Sequence, residues 1–239
     1  MTPSIRNRFV IRDFIQFALL SLTFLSQLAY GEQRLNSQLQ QYADARCQEF
    51  SQIPADRKAL LEQLSNYISQ ELAAGREVKL SFICTHNSRR SHFGHLWAHA
   101  AAANYGIPNV QTFSGGTDAT AFNPRAVAAL KRAGFLIEKN DDSDNPIYLV
   151  KISVDDEPQR CFSKRYDAPP NPTQDFGAVM VCSQADTSCP TVAGAKKRIA
   201  LPFEDPKVSD GRDDETKVYD ERCAQIAREL LYVFSCVKK

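Results

Sequence analysis

Cys84 opens the run Cys84-Thr85-His86-Asn87-Ser88-Arg89-Arg90-Ser91, directly after the apolar stretch Lys79-Leu80-Ser81-Phe82-Ile83. A strand that delivers a cysteine into a tight turn, with an arginine six residues on and a helix opening behind it, makes a trap for oxyanions. Backbone N–H groups of such a loop converge on its centre, the helix adds its positive end, and a guanidinium offers a planar fork to a tetrahedral dianion. The same field favours a thiolate over a thiol, so Cys84 reads as a nucleophile at the floor of an anion site. Thr85, His86, Asn87, Ser88, Arg89, Arg90 and Ser91 form the wall of that site. Arg90 is the expected anion ligand, Arg89 a rim charge, and Asn87 and Ser91 the residues that orient the loop and the thiolate.

The Cys-x5-Arg-Ser pattern behind a buried strand resembles the active-site loop of low-molecular-weight protein tyrosine phosphatases and of the thioredoxin-coupled arsenate reductases built on the same fold. Two further segments carry the resemblance. Ala178-Val179-Met180-Val181-Cys182 ends a strand in a cysteine and is followed by Cys189-Pro190. This is similar to the redox loop of the reductases, which classical phosphatases of the family lack, and implies that Cys182 and Cys189 resolve a disulfide formed at Cys84. The chemistry is sound, because the carboxyl ends of neighbouring parallel strands converge on one crevice and thiols exchange through mixed disulfides. Leu201-Pro202-Phe203-Glu204-Asp205-Pro206 matches the family's acid-Asp-Pro segment. The resemblance implies that Asp205 is the general acid or proton manager, with Glu204 its rival. A carboxylate facing a bound oxyanion is favoured in its protonated form, which suits proton donation to a leaving oxygen. Lys207 stands where many of the phosphatases carry a tyrosine, which weakens the case for an aromatic phosphoester.

These residues need a sheet to bring them together. From Val78 onward strands and helices alternate in the way that gives right-handed βαβ units. Residues 79–84 read as the first strand and Ser91 to Tyr105 as the helix behind the loop. Val110 to Ser114 is a second strand, and Asn123-Pro124 caps a helix that Gly134 ends. Gly177 to Cys182 is a wholly apolar central strand and Arg198 to Pro202 another. Tyr219, Cys223, Ile226, Leu230 and Phe234 mark the stripe of a final helix. The expected fold is α/β, a three-layer α/β/α domain with a mainly parallel sheet of about four strands, like the low-molecular-weight phosphatases. Two parts lie outside that resemblance. A helical extension covers 32–76, with Pro54 suited to a first turn. An insertion over 145–165 carries an extra strand, Tyr148 to Val154, that either shapes the mouth of the site or covers a sheet edge.

At 239 residues, 43% hydrophobic and 24% charged, the chain holds one well-cored domain, 77–239, and an appendage. A net charge of +1 and no basic run longer than Lys196-Lys197-Arg198 argue against nucleic acid as a partner. Residues 1–31 read as a signal or targeting segment: Arg6, Arg8 and Arg12 precede a mostly apolar stretch that ends in Ala29-Tyr30-Gly31. The stretch is too short and too polar for a stable membrane span. Seven cysteines without a CxxC pair suit catalytic thiols plus packing residues better than a disulfide scaffold or a zinc site. Cys47, Cys161, Cys223 and Cys236 are the packing residues. All four histidines fall within residues 86–99, and His92, His95 and His99 share helical spacing. No metal is expected on that stripe, because no second ligand cluster accompanies it. His86 and His92 flank the loop closely enough to tune its anion or thiolate.

Together these readings predict reduction of arsenate to arsenite through Cys84, Cys182 and Cys189. No cofactor is bound, and thioredoxin or another thiol serves as external reductant. The alternative is a phosphatase acting on a phosphotyrosine protein or a small phosphoester through a phosphocysteine. A third reading, an anion-sensing or redox-responsive binding module, needs a deficient Asp205 or a closed loop, and nothing in the sequence shows either. The relay needs a reducing supply, so a cytoplasmic working compartment is expected, with export through residues 1–31 as the alternative.

Overall fold

The computed structural model describes residues 35–188 and 191–238; the expected signal segment lies outside them. In chain order the elements are α1 (Ser37–Cys47), α2 (Ala55–Ala73), β1 (Val78–Cys84), α3 (Arg90–Asn104), β2 (Val110–Gly116), α4 (Pro124–Ala133), β3 (Leu136–Lys139), β4 (Tyr148–Lys151), β5 (Gln159–Cys161), β6 (Phe176–Met180), α5 (Ser183–Ser188), β7 (Ala195–Ala200) and α6 (Glu215–Ser235).

A four-stranded sheet in the order β2-β1-β6-β7 forms the centre. Its three pairings are all parallel. Strands flanked on both edges and covered by helices must be apolar on both faces, and β6 is buried along its whole length while β1 leaves only Lys79 partly exposed. The expected parallel α/β domain with flanking helices is therefore present. β7 begins three residues before the expected Arg198 and ends two residues before Pro202.

Packing of α3 on β1 explains Gly94 in the middle of a helix. A Cβ there would lie 2.5 Å from the Phe82 ring, so only glycine allows the helix this close to the strand that carries Cys84. Across from that contact, the Trp97 indole donates to Cys223 Sγ at 3.3 Å, joining α3 to α6. Trp97, Tyr219 and Phe234 are fully buried, each contributing roughly 2–3 kcal/mol of hydrophobic stabilisation. Asn123 caps α4 through its side chain and Gly134 closes it with a φ of 110°, both as the sequence predicts.

The helical extension is real and lies against the core. Both α1 and α2 pack on α6. The Ser65 hydroxyl donates to the Val233 carbonyl at 2.9 Å, and Arg57 pairs with the buried Glu229 at 2.7 Å. Pro54 is the N-cap of α2 rather than part of its first turn.

The insertion differs from expectation. Instead of one extra strand over 148–154, β3, β4 and β5 form a separate antiparallel sheet in which Leu136 faces Lys151 and Tyr148 faces Cys161. Strands of three or four residues are too short to show an alternation in the sequence. Among the described residues no helix is long and apolar enough to cross a membrane.

Candidate active site

Cys84 sits at the carboxyl end of β1, buried, with its sulfur 3.1 Å from the Ser91 hydroxyl. The loop between Cys84 and α3 is held from outside. Thr117 N–H donates to the Cys84 carbonyl at 3.1 Å, Asp118 N–H to Thr85 at 2.8 Å and Asn123 N–H to Ser88 at 2.9 Å. The Ser163 hydroxyl donates to the His86 carbonyl at 2.9 Å, and His92 Nε2 lies 3.0 Å from that of Asn87. Five consecutive carbonyls are anchored to the scaffold. The planar peptide then turns the N–H on the far side of each away from its anchor, which leaves a row of amides for an anion.

Asn87 is the centre of this arrangement. It takes a left-handed φ of 43°, a conformation that asparagine tolerates better than most residues. Its amide nitrogen donates to Ser91 Oγ at 2.8 Å and its amide oxygen accepts from Lys164 N–H at 2.9 Å. Because Ser91 Oγ accepts from Asn87, the serine hydrogen is free to point at the Cys84 sulfur. Gly116 makes room behind: a Cβ there would lie 2.7 Å from the Asn87 nitrogen and 2.2 Å from the Asp118 oxygen.

The two arginines divide as their positions suggest. Arg90 donates to the Phe203 carbonyl at 3.0 Å and to Asp205 Oδ2 at 2.7 Å. Arg89 is held by Tyr219, whose hydroxyl it meets at 2.9 Å, and lies 3.6 Å from Asp210. Asp205 also caps the short turn Pro206–Ser209 by accepting from Lys207 N–H at 3.1 Å. The structure thus brings Cys84, Arg90, Ser91 and Asp205 to one end of the sheet. Tyr219 and the Phe203 carbonyl are partners that residue-type patterns could not reveal.

Cys182 follows β6, the strand beside β1. It is fully buried, with Sγ 3.4 Å from the Thr85 hydroxyl and 3.3 Å from the Ala185 N–H that donates to it. Cys189 and Pro190 lie outside the described residues. Cys47, Cys84, Cys161, Cys182, Cys223 and Cys236 are free thiols. Cys223 is the expected packing residue, its thiol pushed up to about 12 by burial.

The histidines separate. His86 is exposed and only its carbonyl serves the loop. His92 is buried under the loop, stacked on Phe122 with ring centroids 3.8 Å apart. His99 lies 3.4 Å from Asp156. Cys161 is fully buried, as expected of a packing residue, but one expectation needs correction: the stripe does have a second source of ligands, since the ligand atoms of His92, His95 and Cys161 all fall within 4.8 Å of one another. β5 brings Cys161 there, which the sequence could not show because that strand has three residues. Burial first, and the nearby Lys164 second, hold both imidazoles well below their usual range. Burial also lowers Lys164 to about 8, against the pull of Cys161.

No known family profile matches the chain. An arsenate reductase of Brevibacillus brevis is 32% identical over 127 residues, covering 52% of this chain and 74% of its own. One from Halalkalibacterium halodurans is 27% identical over 135 residues, 56% of this chain and 78% of its own. Among solved structures, a low-molecular-weight phosphotyrosine phosphatase of Vibrio cholerae superposes with a TM-score of 0.47 at 12% identity, over 66% of this chain and 95% of its own. A thioredoxin-dependent arsenate reductase of Corynebacterium glutamicum does so with a TM-score of 0.39 at 19% identity, over 77% of this chain and 72% of its own. With a cysteine–arginine loop at the carboxyl end of its central strand and this degree of likeness to the Brevibacillus reductase, the chain belongs to the superfamily of low-molecular-weight protein tyrosine phosphatases and arsenate reductases.

Proposed function

We propose that the protein reduces arsenate to arsenite by a thiol relay that begins at Cys84. Support comes from the reductase relatives, and the observation that carries the reading is a second buried thiol beside the loop, Cys182, whose sulfur lies 3.4 Å from the hydroxyl of the loop residue Thr85. A phosphatase that hydrolyses a phosphocysteine with water has no use for a thiol there.

In the first step arsenate lies in the row of loop amides. Arg90 turns from Asp205 and Phe203 to offer its fork to two arsenate oxygens. The Cys84 thiolate, its lone pair met by the Ser91 hydrogen, attacks arsenic. A S–As bond forms, and an As–O bond breaks as water leaves with a proton from Asp205. In the second step the Cys182 thiolate attacks Cys84 Sγ. A Cys84–Cys182 disulfide forms, and the S–As pair stays on arsenic, which leaves as As(III). Two thiols have then lost the two electrons that arsenic gained. Cys189 attacks Cys182, frees Cys84, and passes the disulfide to thioredoxin or a similar thiol donor. This cycle suits a reducing compartment, so we place the catalytic core in the cytoplasm.

The second reading, phosphatase action, uses Cys84, Arg90 and Asp205 in the same places and is favoured by the chemistry those three share. Parallel assays separate the two. Arsenate turnover with thioredoxin, thioredoxin reductase and NADPH is expected to exceed hydrolysis of a phosphotyrosine peptide. Peptide hydrolysis without arsenate-dependent NADPH oxidation would replace the reductase reading with the phosphatase one.

A further inference from the structure

The cluster of His92, His95 and Cys161 lies beneath the oxyanion loop, where His92 meets the Asn87 carbonyl, and the relay makes no use of it. We infer that His92, His95 and Cys161 form a buried site for a zinc-class divalent metal, which fastens the β3–β4–β5 sheet to α3 beneath the loop. His92 and His95 are one helical turn apart on α3, and Cys161 ends β5. All three are at least 96% buried, with exposures of 0%, 4% and 0%.

The ligand chemistry is that of zinc. Two imidazoles and a thiolate, with a fourth position for water, are a common donor set for a tetrahedral ion. Bond lengths of about 2.0–2.3 Å put the ligand atoms of such a tetrahedron about 3.5 Å apart. The observed separations, within 4.8 Å, therefore need to close by about 1.3 Å at most. Metal-bound histidines characteristically give their second N–H to a carbonyl. His92 does so in advance: Nε2 faces the Asn87 carbonyl at 3.0 Å, which leaves Nδ1 for the metal once its 3.3 Å contact with the Ser114 hydroxyl is released.

His95 supplies the second observation. Gln159 approaches its ring, yet neither ring nitrogen has a hydrogen-bond partner of proper geometry. An imidazole this deeply buried with two idle nitrogens is costly unless something binds it. It borders a cavity of about 230 Å³ that Thr112, Ser114, Lys164 and Asn171 also line, with room for the fourth ligand. Binding breaks the Cys161 S–H bond, forms a sulfur–metal bond and releases the proton to buffer. The metal would lock His92 against the Asn87 carbonyl, and with it the residue on which the loop turns.

The test is a titration of the full chain with Co²⁺, whose thiolate complexes absorb in the near ultraviolet, paired with metal analysis after dialysis against Zn²⁺. One equivalent should bind, with the charge-transfer band, in both the wild-type protein and Cys84→Ser. Cys161→Ser should lose the band, and His95→Gln should lose affinity by 10–100-fold while keeping the wild-type circular dichroism. Lys164→Met removes a cation that faces the cluster and should tighten Co²⁺ several-fold. The inference is overturned by a wild-type chain that gives no band, by a band that survives Cys161→Ser or vanishes in Cys84→Ser, or by His95→Gln at wild-type affinity. The last comparison decides the matter if Cys161→Ser does not fold.

Discussion

At the residue scale, Asn87 does three jobs with one side chain and one backbone angle: it turns the loop, supports Ser91 and ties down the segment after β5. Asn87→Ala keeps the angle at a cost of about 1 kcal/mol and strands two buried partners at about 1 kcal/mol or more each. Urea unfolding should therefore show a loss of about 3 kcal/mol or more, and kcat/KM for arsenate should fall at least 10-fold. Wild-type stability in that variant would mean the loop is held by its carbonyl anchors alone. Cys84→Ser should abolish turnover with the fold intact, since an alcohol offers no accessible anion at neutral pH. Arg90→Lys should cost about 100-fold in kcat/KM, because an ammonium cannot reproduce the bidentate fork; near-normal arsenate affinity would contradict the role assigned to Arg90. Cys84, Asn87, Arg90 and Ser91 were legible in the sequence because a cysteine loop is local, eight residues in a row. Their partners were not. Ser163 and Lys164 arrive from about 75 residues away, and they act on Asn87 and His86 through a hydroxyl and a backbone amide, which leave no spacing to read.

The elements outside the family resemblance turn out to hold the site from behind and from the side. After β5 the chain passes under the loop, where Gly116 N–H donates to the Lys164 carbonyl and Tyr166 N–H to that of Gly116, both at 2.9 Å. The insertion therefore supports the loop rather than shaping only its mouth. From the other direction, Arg57 of α2 lies over the Phe203 ring at 4.7 Å, beside the carbonyl that Arg90 uses. A second tie of α2 is Glu71, which pairs with Arg76 at 2.8 Å and with Lys196 of β7 at 3.2 Å. The Arg76 hydrogen bonds, ahead of the opposing effect of burial, pull Glu71 from its usual 4.5 down to about 2. A carboxylate lowered in the folded state stabilises fully above about pH 4.5, and that contribution disappears as pH falls through about 2. Arg76 is half exposed, so solvent screening reduces the contribution to about 1–2 kcal/mol. Glu71→Gln should lose that amount in urea unfolding at pH 7, and the difference should shrink between pH 4.5 and 2; a difference independent of pH would rule out the ion pair as its source. The long periodic helices α2 and α6 could be read from their apolar stripes. β3 and β5 could not, and with them went the position of Cys161.

At the scale of the molecule, the parallel sheet places the end of β1 beside the end of β6, and this adjacency makes a relay between Cys84 and Cys182 geometrically reasonable. Should the mature protein from its native cell begin at Glu32 and carry a Cys182–Cys189 disulfide, the cytoplasmic placement would give way to an exported one. The relay itself is tested most directly by a single turnover with Cys189→Ser, incubated with one equivalent of arsenate and no external thiol, then alkylated and peptide-mapped. The account predicts one equivalent of arsenite and a disulfide linking the Cys84 and Cys182 peptides, with no second turnover. Arsenite formed with Cys182 still alkylatable, or continued turnover of this variant with thioredoxin at the wild-type rate, would contradict it.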